Sequence, residues 1–78
     1  MPARRLTYEQ IAEDLAARIA AGEYPPHTAL PSLRELAILY SVSVPTIQKA
    51  HIILRARGLT YGVPGAGVFV EHRTERES

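Results

Sequence analysis

The first patterned stretch of the chain puts Tyr8, Ile11, Ala12, Leu15, Ala16 and Ile19 on one helical stripe and leaves Glu9, Glu13, Asp14 and Arg18 toward water. Thr7 just before it and Gln10 in its first turn have capping-box spacing, in which a hydroxyl and an amide side chain satisfy backbone amides that a first turn leaves unpaired. Gly22 suits the position just past a helix, and Pro25-Pro26 forbids continuation. The pattern predicts an amphipathic helix of about four turns. A second capping box, Ser32 with Glu35, opens a shorter run whose inward face is Leu33, Leu36, Ala37 and Tyr40. Ser43 starts a third helix, and Pro45 falls in its first turn, where no intrahelical bond is lost. Ile47, Ala50 and Leu54 face inward, and Gly58 ends the helix.

Little more than Ser41-Val42 separates the second helix from the third, so the chain must turn sharply there. That predicts a helix-turn-helix. Small Ala37 lets the two helices approach, Val42 plugs the turn and Ile47 packs back on them. After Gly58 the rhythm changes to short β-rich runs, Leu59-Thr60-Tyr61 and Val68-Phe69-Val70, which flank a glycine- and proline-rich stretch at residues 62–67. This is the signature of a hairpin. Residues 28–30, between Pro26 and Pro31, have room for a third short strand. The expected fold is mainly α with a small β-wing: a winged helix-turn-helix of three helices plus a two- or three-stranded antiparallel hairpin sheet. The expected core is Ile11, Leu15, Ile19, Leu36, Val42, Ile47, Leu54, Leu59 and Phe69. The expected bounds are a flexible basic N-terminus at 1–6, the domain at 7–72 and a frayed polar tail at 73–78.

Composition narrows the functional classes. The chain has 78 residues and no cysteine, so neither a disulfide nor a Cys-based zinc site can staple its single small core. No apolar run approaches the roughly 18–20 residues that span a bilayer, and the basic start lacks the apolar stretch of a secretory signal. A cytoplasmic protein with no membrane partner is expected. The net charge of +1 conceals an asymmetry. Between residues 28 and 73, Arg34, Lys49, Arg55, Arg57 and Arg73 face only Glu35 and Glu71, a mild basic excess compatible with a polyanion. His27, His51 and His72 are too scattered for a metal site, and His51 reads as a partly buried histidine with a hydrogen-bond partner. No nucleophile and base stand together, and Gly65-Ala66-Gly67 lacks the following helix and Lys-Ser/Thr of a phosphate cradle. No catalytic residue, cofactor or metal is expected.

The chemistry that remains lies on the outward face of the third helix, where Pro45, Gln48, Lys49 and Ile52 lie opposite the inward residues. Gln48 can pair with adenine through two hydrogen bonds, Lys49 can meet a phosphate or guanine, and Val44 can touch a thymine methyl. Ser43 caps the helix, and the amides it orders can meet a phosphate. Thr46 can bind phosphate or simply cap. Arg34 can reach across the turn to DNA or pair with a nearby carboxylate. Gly65 offers bare backbone for close approach, or merely a turn that needs positive φ. Each has an ordinary reading as part of a solvated face.

Several marks occur in order along residues 8–70: Ile11-Ala12, Ile19-Ala20-Ala21-Gly22, Tyr24-Pro25-Pro26, Leu30-Pro31-Ser32 and Arg34-Glu35-Leu36-Ala37. Val42-Ser43, Thr46-Ile47, Lys49-Ala50, Leu54-Arg55-Ala56, Gly58-Leu59 and Gly65-Ala66-Gly67 with Phe69-Val70 complete the set. Together they resemble the DNA-binding domain of GntR-type transcriptional regulators. The resemblance implies a sequence-specific DNA-binding regulator, a repressor, with its third helix in the major groove and its wing beside the minor groove of double-stranded DNA. In that context Arg34, Ser43, Val44, Pro45, Thr46, Gln48, Lys49 and Gly65 are the expected contact residues. High affinity would need a homodimer on a palindromic operator, because one such module makes few phosphate contacts, whereas the isolated chain is expected to be monomeric or weakly dimeric. Members usually carry a larger effector domain, for which this chain has no room, so no small-molecule effector site is expected within it. The chain also departs from the family. Val44 and Gln48 stand where arginines are common, Leu33 where glutamate is, and His51 where a core leucine is. Those departures keep open a winged-helix protein-interaction module, or an architectural DNA-binding factor of weak sequence specificity.

Overall fold

The computed structural model describes residues 6–71. His72, the expected tail at 73–78 and all of the expected N-terminal segment except Leu6 lie outside the described residues. The elements run α1 (Tyr8–Ala20), α2 (Leu33–Tyr40), α3 (Val44–Ala56), β1 (Thr60–Val63) and β2 (Gly67–Val70). Both expected capping boxes are formed. Gln10 Oε1 accepts from the Thr7 amide at 2.9 Å while Thr7 Oγ1 accepts from the Gln10 amide at 3.1 Å. Ser32 and Glu35 make the same reciprocal pair at 3.0 and 2.9 Å. The axes of α2 and α3 differ by 106°, the sharp corner that the short connection requires. Ser41 makes that corner in the left-handed region (φ 56°), and the Val42 amide donates to the Ala37 carbonyl at 3.0 Å. Gly58 ends α3 at φ 75°, a conformation glycine adopts without steric penalty.

Packing α3 against both α1 and α2 buries one core. Ile11, Leu15, Leu36, Ile47 and Leu54 are fully enclosed, as the helical spacing predicts. The β end differs from expectation. Val70, not Phe69, is the buried residue of β2, because Thr60 pairs with Val70 and Tyr61 with Phe69 across the hairpin. Side chains alternate faces along a strand, so this register turns Thr60 and Val70 to the core and stacks Tyr61 on Phe69 at 5.9 Å outside it. Val42 is half-buried at the core's edge, and Leu30, absent from the expected core, is buried.

Among the described residues the sheet has two strands, and residues 28–30 contribute one bridge rather than a third strand. Ala29 pairs with Phe69, the Leu30 amide donates to the Val68 carbonyl at 2.8 Å, and the Val70 amide donates to the Thr28 carbonyl at 3.0 Å. The flanking prolines Pro26 and Pro31 keep this segment too short to extend the ladder. The wing tip is also shorter than expected. Gly62 and Val63 belong to β1, and Pro64, Gly65 and Ala66 make the turn.

Asp14, read as facing water, instead joins α1 to α2. Its carboxylate accepts the Tyr40 hydroxyl proton at 2.6 Å and the Arg18 Nε–H at 2.9 Å, and Arg18 extends to Glu23 at 2.8 Å. The tyrosine bond first, and the guanidinium second, hold the Asp14 carboxyl below its usual range. Burial, with the Asp14 bond next, pushes the Tyr40 phenol up. A carboxyl depressed in the folded state adds stability above its ordinary titration range and loses it as pH falls through the folded value. Tyr40→Phe should therefore cost about 1 kcal/mol at neutral pH, and this deficit should shrink in acid. Urea unfolding of both proteins at the two pH values checks this; a deficit independent of pH would remove Asp14 from the account.

Candidate functional site

The exposed side of α3 follows from its cap and its period. Ser43, in extended conformation, accepts from the Thr46 amide at 3.4 Å, and the two hydroxyls lie 3.0 Å apart. Both hydroxyls are thus engaged with each other at the helix start. Pro45 follows in the first turn without disturbing it. With Ile47, Ala50 and Leu54 turned inward, Pro45, Gln48, Lys49 and Ile52 emerge together on the outside. Ile52 is 68% exposed, a large apolar surface for so small a domain. Val44 sits differently from its sequence reading. It is half-buried and packs against the core, so only part of the side chain is presented outward.

The other candidates surround this helix face. Arg34 is exposed in the first turn of α2, and Gly65 is exposed at the wing tip. Gly65 has φ 80°, and a β-carbon there would meet nothing within 4 Å, so the backbone conformation alone demands glycine. One cleft joins the three elements: Gln48 from α3, Ser32 and Leu33 beside Arg34, and Ala66 and Gly67 beside Gly65 all line it. Lys49 leans the other way. Its ammonium lies 5.6 Å from the centroid of the Tyr8 ring, a cation–π distance that places the charge near the start of α1.

The charges divide between paired and unpaired. Arg18 pairs with Asp14 and Glu23, and Arg57 pairs with Glu13 at 3.1 Å. Arg34, Lys49 and Arg55 make no ion pair among the described residues. The reading of Arg34 as half of a surface ion pair is thus not realised there. The unpaired cations lie on α2 and α3, the elements that carry the polar candidates. His51 also departs from expectation. It is 9% exposed, yet its Nδ1 has no hydrogen-bond partner among the described residues. Burial, and after it the charge of Arg55, hold its pKa below the usual value.

Sequence reasoning missed two residues at this surface. Tyr8, read as part of the apolar stripe, does pack half-buried against the core, and its ring also holds Lys49. Arg55 figures in the sequence only as charge and as part of the family pattern, not as a residue of this surface. The signal for it was present, since positions 48, 52 and 55 share one helical stripe.

Comparison with known proteins agrees with this geometry. The sequence model of the family described as bacterial regulatory proteins, gntR family, matches residues 7–70. The transcriptional repressor NagR of Bacillus subtilis is 41% identical over 63 residues, covering 81% of this chain and 26% of NagR. A GntR family transcriptional regulator from Listeria monocytogenes superposes with a TM-score of 0.84 at 30% identity, covering 97% of this chain and 67% of that one. The AraR DNA-binding domain in complex with operator ORE1 superposes with a TM-score of 0.78 at 34% identity, covering 90% of this chain and 83% of that one. The curated relatives are much longer than the region they share with this chain, which spans 14% of one Escherichia coli regulator and 23% of a Mycobacterium tuberculosis one. A family match over residues 7–70, with relatives at 30% identity or more across most of this chain, means that the chain belongs to the gntR family of bacterial regulatory proteins.

Proposed function

We propose that residues 7–72 form a winged helix-turn-helix domain that binds double-stranded operator DNA and represses transcription by occupying it. The observation that carries this reading is the exposed α3 face beside cations on α2 and α3 that make no ion pair among the described residues, in a fold shared with a domain solved on its operator. In this reading α3 enters the major groove, which admits a helix, and the wing lies beside the minor groove. Gln48 and Val44 address base edges. Arg34 and Lys49 meet phosphates, with Lys49 directed by Tyr8 toward the strand near the start of α1. Ser43 and Thr46 order the first-turn amides, and Pro45 rests against the groove. Gly65 lets the wing tip approach the backbone closely. Repression of this kind has no catalytic step, and its place is the cytoplasm. Palindromic operators would recruit two copies, since one such module buries only about 600–1,000 Å².

Neutral Gln48 and apolar Val44 make few charge contacts, so affinity should depend only shallowly on salt. Lys49→Ala should weaken binding to all sequences alike and reduce the log–log salt slope by about 0.9 if the ammonium holds one phosphate. Titrating fluorescent duplexes at several salt concentrations measures both. An unchanged slope would take Lys49 off the phosphate backbone. Failure of Arg34→Ala, Gln48→Ala and Lys49→Ala alike to alter DNA affinity, with the fold intact, would favour the protein-interaction reading, for which exposed Ile52 supplies the apolar anchor.

A further inference from the structure

Between α3, the start of α2 and the wing lies a cleft of about 740 Å³. Small-molecule sites commonly measure about 300–1,000 Å³. The walls are mainly apolar, with Leu30, Leu33, Ile52 and Val68 among them. Four polar side chains line it, Ser32, Gln48, His51 and Arg55, and among the described residues no carboxylate does. Arg55 has no ion-pair partner among the described residues.

His51 is the telling residue. Its ring makes no hydrogen bond among the described residues, and only Nδ1 is sealed from solvent. A sealed N–H without an acceptor is rarer and costlier in proteins than an under-used acceptor, so the tautomer with a bare Nδ1 and a proton on Nε2 is favoured. Nε2–H is then the donor left to the cleft. Its lowered pKa keeps the ring neutral at neutral pH, so it offers one proton donor beside the fixed charge of Arg55. Arg55 and His51 Nε2–H, with no described carboxylate in the lining to offset them and mainly apolar walls around them, suit a ligand with an anionic head and an apolar body.

We propose that this cleft binds a small carboxylate with an apolar body, its head between Arg55 and His51 Nε2 and its body against Leu33, Ile52 and Val68. Gln48 and Ile52 belong both to the cleft and to the exposed face of α3. Occupancy therefore competes with DNA, a consequence that rests on the DNA-binding reading above. The site itself does not rest on that reading.

The test titrates the isotope-labelled chain, free of DNA, with phenylacetate. Phenylethanol, which lacks the charge, and dimethyl phosphate, which mimics a DNA backbone phosphate without the apolar body, serve as comparators. Phenylacetate should give saturable shifts at the His51 ring nitrogens and at the amides of residues 33, 52 and 68. Either comparator should bind at least about tenfold more weakly. His51→Leu should weaken phenylacetate about tenfold, and Leu33→Glu, which adds a carboxylate at the half-exposed wall, should abolish saturation. A dispersed amide spectrum establishes that each variant is folded. Absence of saturable shifts in the parent overturns the site, as does equal binding of dimethyl phosphate or unchanged affinity in both variants. In a second arm, phenylacetate should displace a fluorescent operator duplex from the parent. Operator binding without phenylacetate shifts would defeat this site alone. Phenylacetate binding in a chain that binds no DNA would leave the site standing and defeat the DNA reading.

Discussion

Truncating Leu54 to alanine should lower the unfolding free energy by about 2–5 kcal/mol. Leu54 is fully enclosed on α3, which packs against both other helices, so its removal opens a cavity that no single element can close. The loss falls on a domain without disulfides, and small cores supply only about 3–5 kcal/mol. Each kcal/mol shifts Tm by about 4–8 °C in a domain of this size, so the variant should melt at least about 8 °C lower or fail to fold. Ile52→Ala, two residues earlier but 68% exposed, is the matched control and should melt close to the parent. Thermal unfolding followed by circular dichroism separates the two; equal Tm for Leu54→Ala and the parent would refute the core assignment.

Gln48→Ala should remove about 1–3 kcal/mol of base discrimination at one operator position, a loss of about fivefold to 150-fold in preference for adenine there. The reason is geometric. A glutamine amide offers one donor and one acceptor side by side, matching the paired groups on the adenine edge, whereas alanine offers neither. Binding to duplexes already lacking that adenine should barely change, which separates lost reading from lost folding. Selection from a randomised duplex pool identifies the preferred site, and titration of duplexes differing at each position gives the discrimination. Full retention of the base preference in Gln48→Ala would assign the reading to another residue.

The helices and their ends were legible because the forces that set them are local. Thr7 with Gln10, and Ser32 with Glu35, act over three residues, and the period of Ile47, Ala50 and Leu54 fixes which side of α3 is exposed. The β end was less legible. Whether Phe69 or Val70 faces the core depends on the hairpin register and on a bridge to Ala29, forty residues away in the chain. The Asp14–Tyr40 bond spans 26 residues and joins two helices whose relative placement no single stripe determines. The same holds for the candidate surface. The helical spacing of Pro45, Gln48 and Lys49 identified a shared outward face, but only the tertiary approach of α1 gives Lys49 its aromatic neighbour. Val44, read as an exposed contact for a thymine methyl, is drawn partly inward by packing against the core. His51 shows the limit most clearly: its burial follows the helical period, while the lack of a partner for its Nδ1 among the described residues depends on every element around it.

The segment at residues 27–30 is tied to β2 by the amides of His27, Leu30 and Val70, at 2.7, 2.8 and 3.0 Å. His27 Nδ1 and the Tyr61 hydroxyl, 3.0 Å apart, fasten the same segment to β1. A two-stranded hairpin alone is at best marginally stable in water and would explore many orientations. Here the loop after α1 holds it by both strands, so the wing is oriented when the chain folds. Docking on a rigid partner then requires little further loss of backbone freedom, and the conformational entropy that a loose wing would surrender at each encounter has already been lost.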